Sequence, residues 1–404
     1  MMGEILFLAH RVPYPPDRGD KMRSYHLVRA LAALAPVHLV AFAEDEAERA
    51  EAAPLLAQCA SHHVVLRRRS QVAAGLHALA TRRPVSLCVF GDTGLSAHVR
   101  TLLAERPIAA IFGYSGQMAQ YVPPDAAPRF IMDFVDVDSA KFAGYAAGQW
   151  GPMAWVHRRE AWLLARFEAK TARRAALSLF VSEVEATLFR ARAGLPAERV
   201  VALENGIDVE RYDPAGGHVL PDLAGPLIVF TGQMDYRPNV EAVVRFARDT
   251  MPMVRARRPD ARFVIVGRRP DAAVRRLDEL PGVIVTGEVP DVRGWIAAAA
   301  VVVAPLGMAR GVQNKVLEAM AMAKAVVASP AAAEGIAASA GAELIVADGS
   351  AAEAEAVVAL INDRALALEI GAAARARMIA RYGWPARLAR LPEIVGLAAD
   401  RAAA

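Results

Sequence analysis

The residues best suited to chemistry in this sequence lie in one short stretch, Arg310 to Ser329, RGVQNKVLEAMAMAKAVVAS. It reads as loop, short helix and buried strand. The loop contains Gly311 and leads to a helix start near Asn314. Backbone N–H groups at such an end bind anions, phosphate above all. Lys315 falls in the first helical turn. A cation there opposes the helix dipole at a cost of roughly 0.3–1 kcal/mol, which a bound anion would offset. Glu318 follows one turn later among Ala, Met and Leu, where a carboxylate needs a partner. A pair of ribose hydroxyls would serve. The plainer reading is a surface Lys and a surface Glu on an ordinary crossover helix.

A second cluster lies in RFIMDFVDVDSAKF, which puts Asp133, Asp136 and Asp138 at the end of a strand. Three acids there are costly unless they face solvent or a cleft. They are either reacting groups or caps for the next helix. His10 and Arg11 end the first apolar run and either line a cleft or, for His10, fill the core as a satisfied histidine.

These residues need strands and helices to position them. Short apolar runs recur in the first half: ILFLA (5–9), VHLVAF (37–42), AIFGY (110–114), FIMDFV (130–135) and LSLFVS (177–182). The second half has LIVFTG (227–232), RFVIVG (262–267), VIVTG (283–287), AVVVAPL (300–306) and AVVAS (325–329). Helical patterns separate them, which predicts βαβ units and parallel sheets. The runs do not alternate in polarity, so both sheet faces are covered. Both halves open with strand, Gly/Pro loop and helix, and DVERYDPAGGHVLPDLAGP (208–226) is the best linker between them. Two doubly wound α/β domains facing a cleft are expected, with ligands beyond the carboxyl ends of the strands.

The totals narrow the function. A chain of 404 residues with 55% hydrophobic content suits two domains with large cores. A net charge of +4 gives no argument for nucleic acid. Cys59 and Cys88 make neither a disulfide framework nor a metal site, which suggests a reduced cytoplasm. The start, MMGEILFLAHRVPYP, reads as a first strand rather than a signal peptide. No G-x-G-x-x-G follows a predicted strand, no Walker-type phosphate loop exists and no serine nucleophile elbow appears. The histidines lack metal-ligand spacing.

Glu318-Ala-Met-Ala resembles the end of the E-x7-E nucleotide-sugar helix of GT-B glycosyltransferases of the family 4 type. Arg310 stands where the first glutamate of that pattern would fall; it suits a carboxylated donor or a further phosphate contact. The loop PYPPDRGDKMRSYHLVRAL resembles the family's first N-domain loop, with Gly19 kept and Asp20 in place of a second glycine. Asn205-Gly206-Ile207-Asp208 resembles the turn at the domain junction. FTGQMDYRPNVEAV resembles the C-domain opening, with Gly232 in the turn and Arg237 as the available cation. GEVPDV, with Gly287 and Val289, resembles the turn whose backbone reads the base. The subgroup most similar is the sugar transferases of bacterial exopolysaccharide systems.

The resemblance implies residues 1–210 as an acceptor-binding domain, with a C-terminal helix 385–404 packing back on it, and 211–384 as the nucleotide-sugar domain. It implies transfer from a UDP or GDP sugar to a glycan or polyprenyl-linked acceptor, with retention and without metal or other cofactor. Gly19, Gly232, Arg237, Gly287, Val289, Arg310, Gly311, Asn314, Lys315 and Glu318 would hold the donor. Asp133, then Asp136, would face the reacting sugar, and His10 and Arg11 the acceptor. A sugar-nucleotide epimerase of the same layout and a non-catalytic scaffold of polysaccharide assembly remain open. A location in the cytoplasm, at the inner face of the membrane, fits the lipid-linked acceptor.

One further region is basic and rich in Trp: WGPMAWVHRREAWLLARFEAKTARRAA, residues 150–176. Such a helix can lie on anionic membrane, joined by Arg67, Arg68, Arg69 and a helix near 72–83. Otherwise its Trp face packs on the sheet and its arginines are solvated.

Overall fold

The computed structural model describes residues 3–309 and 312–397. The chain divides into two compact units, Met1–Asn205 with the segment from Arg387 on, and Gly206–Ala386.

In the first unit the described residues form seven strands: β1 (Glu4–Ala9), β2 (Val37–Ala43), β3 (Ser61–Leu66), β4 (Ile108–Tyr114), β5 (Arg129–Val135), β6 (Leu177–Phe180) and β7 (Val200–Ala202). All pairings are parallel, in the order β3-β2-β1-β4-β5-β6-β7. The apolar runs become the central strands because both faces carry helices. Register aligns aromatic side chains: Phe7 pairs with Phe112 and their rings stack at 5.4 Å. β3 escaped the sequence reading because its Ser61-His62-His63 half lies at the sheet edge and is only partly buried.

The second unit adds β8 (Leu227–Thr231), β9 (Arg262–Val266), β10 (Val283–Gly287), β11 (Ala299–Ala304), β12 (Val326–Ala328) and β13 (Ile345–Val346). Their order is β10-β9-β8-β11-β12-β13, again parallel. Each sheet reverses its winding once, between β1 and β4 and between β8 and β11. Ligands of doubly wound sheets bind at the carboxyl ends beside such a reversal.

Two expectations change. Residues 208–226 are not a free linker: Arg375 donates to the Tyr212 carbonyl at 2.9 Å and pairs with Asp213 at 3.2 Å. A Cβ on Gly294 would lie 2.0 Å from the Val219 carbonyl oxygen, so the segment is laid down on the second unit. The single C-terminal helix expected over 385–404 is instead two short pieces, Trp384–Arg387 and Leu391–Val395. Pro392 cannot donate to the preceding turn and so interrupts the expected helix, and Gly396 stops the second piece at a φ of 77°. That piece is tied to the first unit by Arg129, whose Nε donates to the Ile394 carbonyl at 2.9 Å. Residues 398–404 lie outside the described residues.

Candidate functional site

The helix Asn314–Ala321 begins on the carboxyl side of the second sheet. Its buried face is Val316, Leu317, Ala319, Met320 and Ala321, which packs into the core. The remaining positions, Asn314, Lys315 and Glu318, line a cavity of about 700 Å3. Gln313 precedes the helix in extended conformation and makes no side-chain cap. The helix N-terminus therefore opens on a cavity within this unit, at the β8/β11 reversal.

Lys315 is held from two sides. Its Nζ donates to Asn239 Oδ1 at 2.5 Å and lies 4.2 Å from the centre of the Phe230 ring. Asn239 is itself fixed, since its Nδ2 donates to the Gln233 carbonyl at 2.9 Å. Gly232 makes room for both: a Cβ there would stand 2.8 Å from Asn239 Nδ2 and 3.2 Å from Lys315 Nζ. Gly267 at the end of β9 is more constrained still, because its Cβ would be 1.7 Å from the Gly232 carbonyl oxygen. Two adjacent strand ends thus meet as bare backbone beside the ammonium group. Burial lowers the Lys315 pKa to about 8, with Glu318 acting against that shift.

Glu318 accepts a hydrogen bond from the Tyr212 hydroxyl. Burial raises its pKa to about 7, opposed by that bond and by the charge of Lys315. Both ionisable groups are thus pulled toward neutrality by a site that desolvates them, and a ligand bearing a complementary partner for each would reverse both shifts.

The structure brings five of the ten expected donor residues together in one cavity wall. Gly232, Val289, Asn314, Lys315 and Glu318 line the cavity. Gly287 sits just behind it, in a left-handed turn with φ 69°, and Glu288 and Val289 reach the wall. Arg237 does not belong to the wall: its side chain is 89% exposed and pairs with Glu241 at 2.7 Å. Pro238 starts the helix at that point, and the i,i+4 glutamate draws the guanidinium along the outside. Arg268, which follows Gly267, lines the cavity instead. Gly19 is the first residue of the helix Gly19–Ala32 in the other unit and is exposed. Arg310 and Gly311 lie outside the described residues. The sequence reading passed over Tyr212, Asn239, Gly267 and Arg268. The closing glycine of RFVIVG was a signal for Gly267; Tyr212 had none, because it lay in the supposed linker.

In the first unit Asp133 must be corrected. It is fully buried, and its Oδ2 takes a hydrogen bond from Arg23 Nε at 2.8 Å. Arg23 also donates to the Leu203 carbonyl at 2.7 Å and Asn205 Oδ1 at 2.9 Å. Asp133 Oδ1 accepts from its own loop at Val135 N, 3.1 Å away. A carboxylate sealed in this way joins strand to helix and cannot face a reacting sugar. Asp136 remains accessible but is paired with Lys141 at 2.6 Å, and Asp138 lies 3.5 Å from the same lysine. Neither caps the helix Asp138–Ala146; Glu168 accepts from Ser139 N at 2.9 Å instead.

His10 follows β1 directly and stacks on Tyr114 at 5.7 Å, at the end of β4. Its Nε2 lies 3.5 Å from Asp20 Oδ2, and its buried Nδ1 has no hydrogen-bond partner among the described residues. The hydrogen bond to His10 holds the Asp20 pKa down at about 2. Arg11 Nη1 is 3.9 Å from Asp20, and Nη2 binds Glu44 at 2.5 Å. His10 is therefore not a satisfied core histidine. It is an oriented imidazole at the switch point of the first sheet.

Residues 225–363 match the family described as Glycosyl transferases group 1. Among curated protein sequences none matches this chain. Solved structures are similar over nearly the whole length. HepE of Anabaena, solved in complex with UDP, is 16% identical with a TM-score of 0.62, covering 97% of this chain and 99% of its own. A sucrose-phosphate synthase from Thermosynechococcus elongatus is 16% identical with a TM-score of 0.61, covering 97% and 98%. WaaG, a glycosyltransferase involved in lipopolysaccharide biosynthesis, is 16% identical with a TM-score of 0.55, covering 97% and 100%. At these identities the likeness establishes the GT-B fold, two Rossmann-like parallel sheets with their helices. The segment that resembles the group 1 glycosyl transferases lies within the second unit.

Proposed function

We propose that this glycosyltransferase moves a sugar from a nucleotide-diphosphate donor, a uridine or guanosine diphosphate sugar, to a glycan or polyprenyl-linked acceptor. One observation carries the reading: Lys315 and Glu318, one turn apart, face a cavity at the β8/β11 reversal beside bare glycine backbone. Lys315 and the first N–H groups of its helix receive the diphosphate. Glu318 exchanges its Tyr212 partner for the ribose hydroxyls. The turn at Glu288 and Val289 meets the base. UDP in the HepE structure supports uridine as that base.

In the reaction the bond from the anomeric carbon to the diphosphate oxygen breaks and the acceptor oxygen bonds to that carbon on the same face. The acceptor's proton passes to the departing phosphate oxygen. Charge grows on the diphosphate, so fixed dipoles and a fixed cation lower the barrier there. Lys315 supplies that charge in a reading that calls for no metal or other cofactor. His10, Arg11 and Asp136 are the acceptor-side candidates.

The involvement of WaaG in lipopolysaccharide biosynthesis supports exopolysaccharide or cell-surface polysaccharide synthesis as the setting. A polyprenyl-linked acceptor would place the enzyme at the inner face of the cytoplasmic membrane, touching anionic lipid through residues 150–176. Thermal-shift measurement with a series of nucleotide sugars tests the donor site. A UDP or GDP sugar should raise the melting temperature of the wild type, and Glu318→Ala should lose most of that rise. An equal rise in the variant would remove Glu318 from the site.

A further inference from the structure

Two helices of the first unit are built inside out. The helix Pro152–Arg174 buries Ala154, Glu160, Leu164, Glu168, Thr171 and Ala172. Its two inward acids bind backbone amides of neighbouring segments. Glu160 accepts from the Val85 and Ser86 amides, each at 2.8 Å, and Glu168 from Ser139 N at 2.9 Å. The opposite face carries Trp155, Arg158, Trp162, Arg166, Lys170 and Arg173 at helical spacing. Trp155 is 55% exposed and Trp162 58%, and Trp150 just ahead of the helix is 91% exposed. Arg158 lies over Trp150 and Arg166 over Trp162, with guanidinium carbons 5.9 and 4.7 Å from the ring centres. The indoles do not pack on the sheet, as a core role would require.

The helix Gln71–Thr81 repeats the pattern with aliphatic residues. It buries Ala74 and Ala78, while Val72, Leu76 and Leu79, spaced to share a face, are 75%, 67% and 54% exposed. Arg159 joins the two helices by donating to the Ala78 carbonyl at 2.7 Å. Beside the longer helix runs a groove of about 610 Å3, lined by Ala143, Ala146, Ala161 and Ala165 with Arg158 and Arg192. Large apolar side chains turned outward, with cations among them, are the composition of a surface that enters the headgroup layer of a bilayer.

We propose that this face of the first unit docks on a bilayer carrying anionic headgroups, the indoles and the Val72/Leu76/Leu79 stripe entering the interface and the arginines meeting phosphate. The proposal deepens the membrane placement given above and rests on it. Charge selects the occupant. A second copy across a two-fold axis would set the same arginine-rich face against itself, cation to cation. A nucleic acid would leave the aliphatic stripe uncovered.

Co-sedimentation of the full chain with vesicles tests it. Phosphatidylglycerol-containing vesicles should carry the protein down about tenfold more strongly than pure phosphatidylcholine, less so in raised salt. Trp155→Ala/Trp162→Ala and Leu76→Ser/Leu79→Ser should each weaken that binding about tenfold while keeping the helical circular dichroism and the nucleotide-sugar thermal shift of the wild type. Glu318→Ala should bind vesicles normally, so loss of the donor reading and loss of the membrane reading are separate outcomes. The proposal is overturned if the wild type ignores anionic vesicles or if both double variants bind as well as it does. It is equally overturned if size exclusion shows a dimer that Trp155→Ala/Trp162→Ala takes apart.

Discussion

Asp133 and Glu318 have similar addresses and opposite fates. Each is a carboxylate among apolar residues near the reversal point of a parallel sheet, and each has a cation close by. Asp133 is enclosed with Arg23, which turns to it through Nε at 2.8 Å and ties the remaining loop ends together. Glu318 and Lys315 are desolvated but open on a cavity, and their best partners are a tyrosine hydroxyl and an asparagine amide. The first arrangement pairs its two charges within the protein, although the buried Arg23 Nη2 has no hydrogen-bond partner among the described residues. The second leaves two charges under-compensated and directs them at space that a ligand can fill. Burial of charge alone does not mark a site; burial with an unfilled partner position does.

The largest effect should come from opening the closed pair. Asp133→Ala leaves Arg23 buried without its counter-charge, at a cost of roughly 3–5 kcal/mol in folding stability. Denaturant unfolding should show this, and Arg23→Met/Asp133→Leu should recover much of it. If Asp133→Ala unfolded normally and lost only turnover, the contrast would be wrong and Asp133 would be a reacting group after all.

Lys315→Ala should act the other way, weakening donor binding and costing about 10²–10³ in kcat with stability unchanged or improved, because on the proposed reading the charge it removes serves the diphosphate and not the fold. Its pH behaviour sharpens the point. Glu318 titrates at about 7 in the folded chain against an ordinary 4.5, so folding retains a proton that the unfolded chain has lost. Ligand-free stability therefore falls as pH rises through that window. Lys315 titrates at about 8 against 10.5, so the folded chain sheds its proton first and stability rises with pH across that window. On the proposed reading the donor binds with Glu318 ionised and Lys315 protonated, so affinity should peak between the two, at a pH of about 7 to 8. Calorimetric titration across pH should show both limbs, and Glu318→Gln should abolish the acidic one. A flat profile in the wild type would separate these groups from the ligand.

The smallest effect distinguishes two arginines. Arg268→Ala should weaken donor binding roughly three- to tenfold, as loss of one contact from the cavity wall. Arg237→Ala should change it by roughly twofold or less, because that side chain is solvated with Glu241. The reverse order in an affinity series would restore Arg237 as the phosphate contact.

How much of this was legible differs residue by residue. Lys315 and Glu318 could be found from local physics, because both their helix and the anomaly of placing charge on it are sequence-local. Gly232 and Val289 could be placed at strand ends for the same reason. Arg237 misled because a cation beside a glycine turn says nothing of which way its side chain leaves the helix. Asp133 misled because its partner, Arg23, is 110 residues away. Tyr212 was hidden in a Gly/Pro-rich stretch that composition marks as linker but that packing fixes on the second unit.

The order of apolar runs and turns determined by itself that this chain makes two parallel α/β sheets, since strand and helix periodicities are local and both sheet faces must be covered. The N-terminal position of Lys315 on its helix was settled in the same way. Only tertiary structure decided which charges are closed off and which remain open. That choice depends on contacts between residues distant in sequence, and on whether the volume beside a buried charge is filled by the protein itself or left empty.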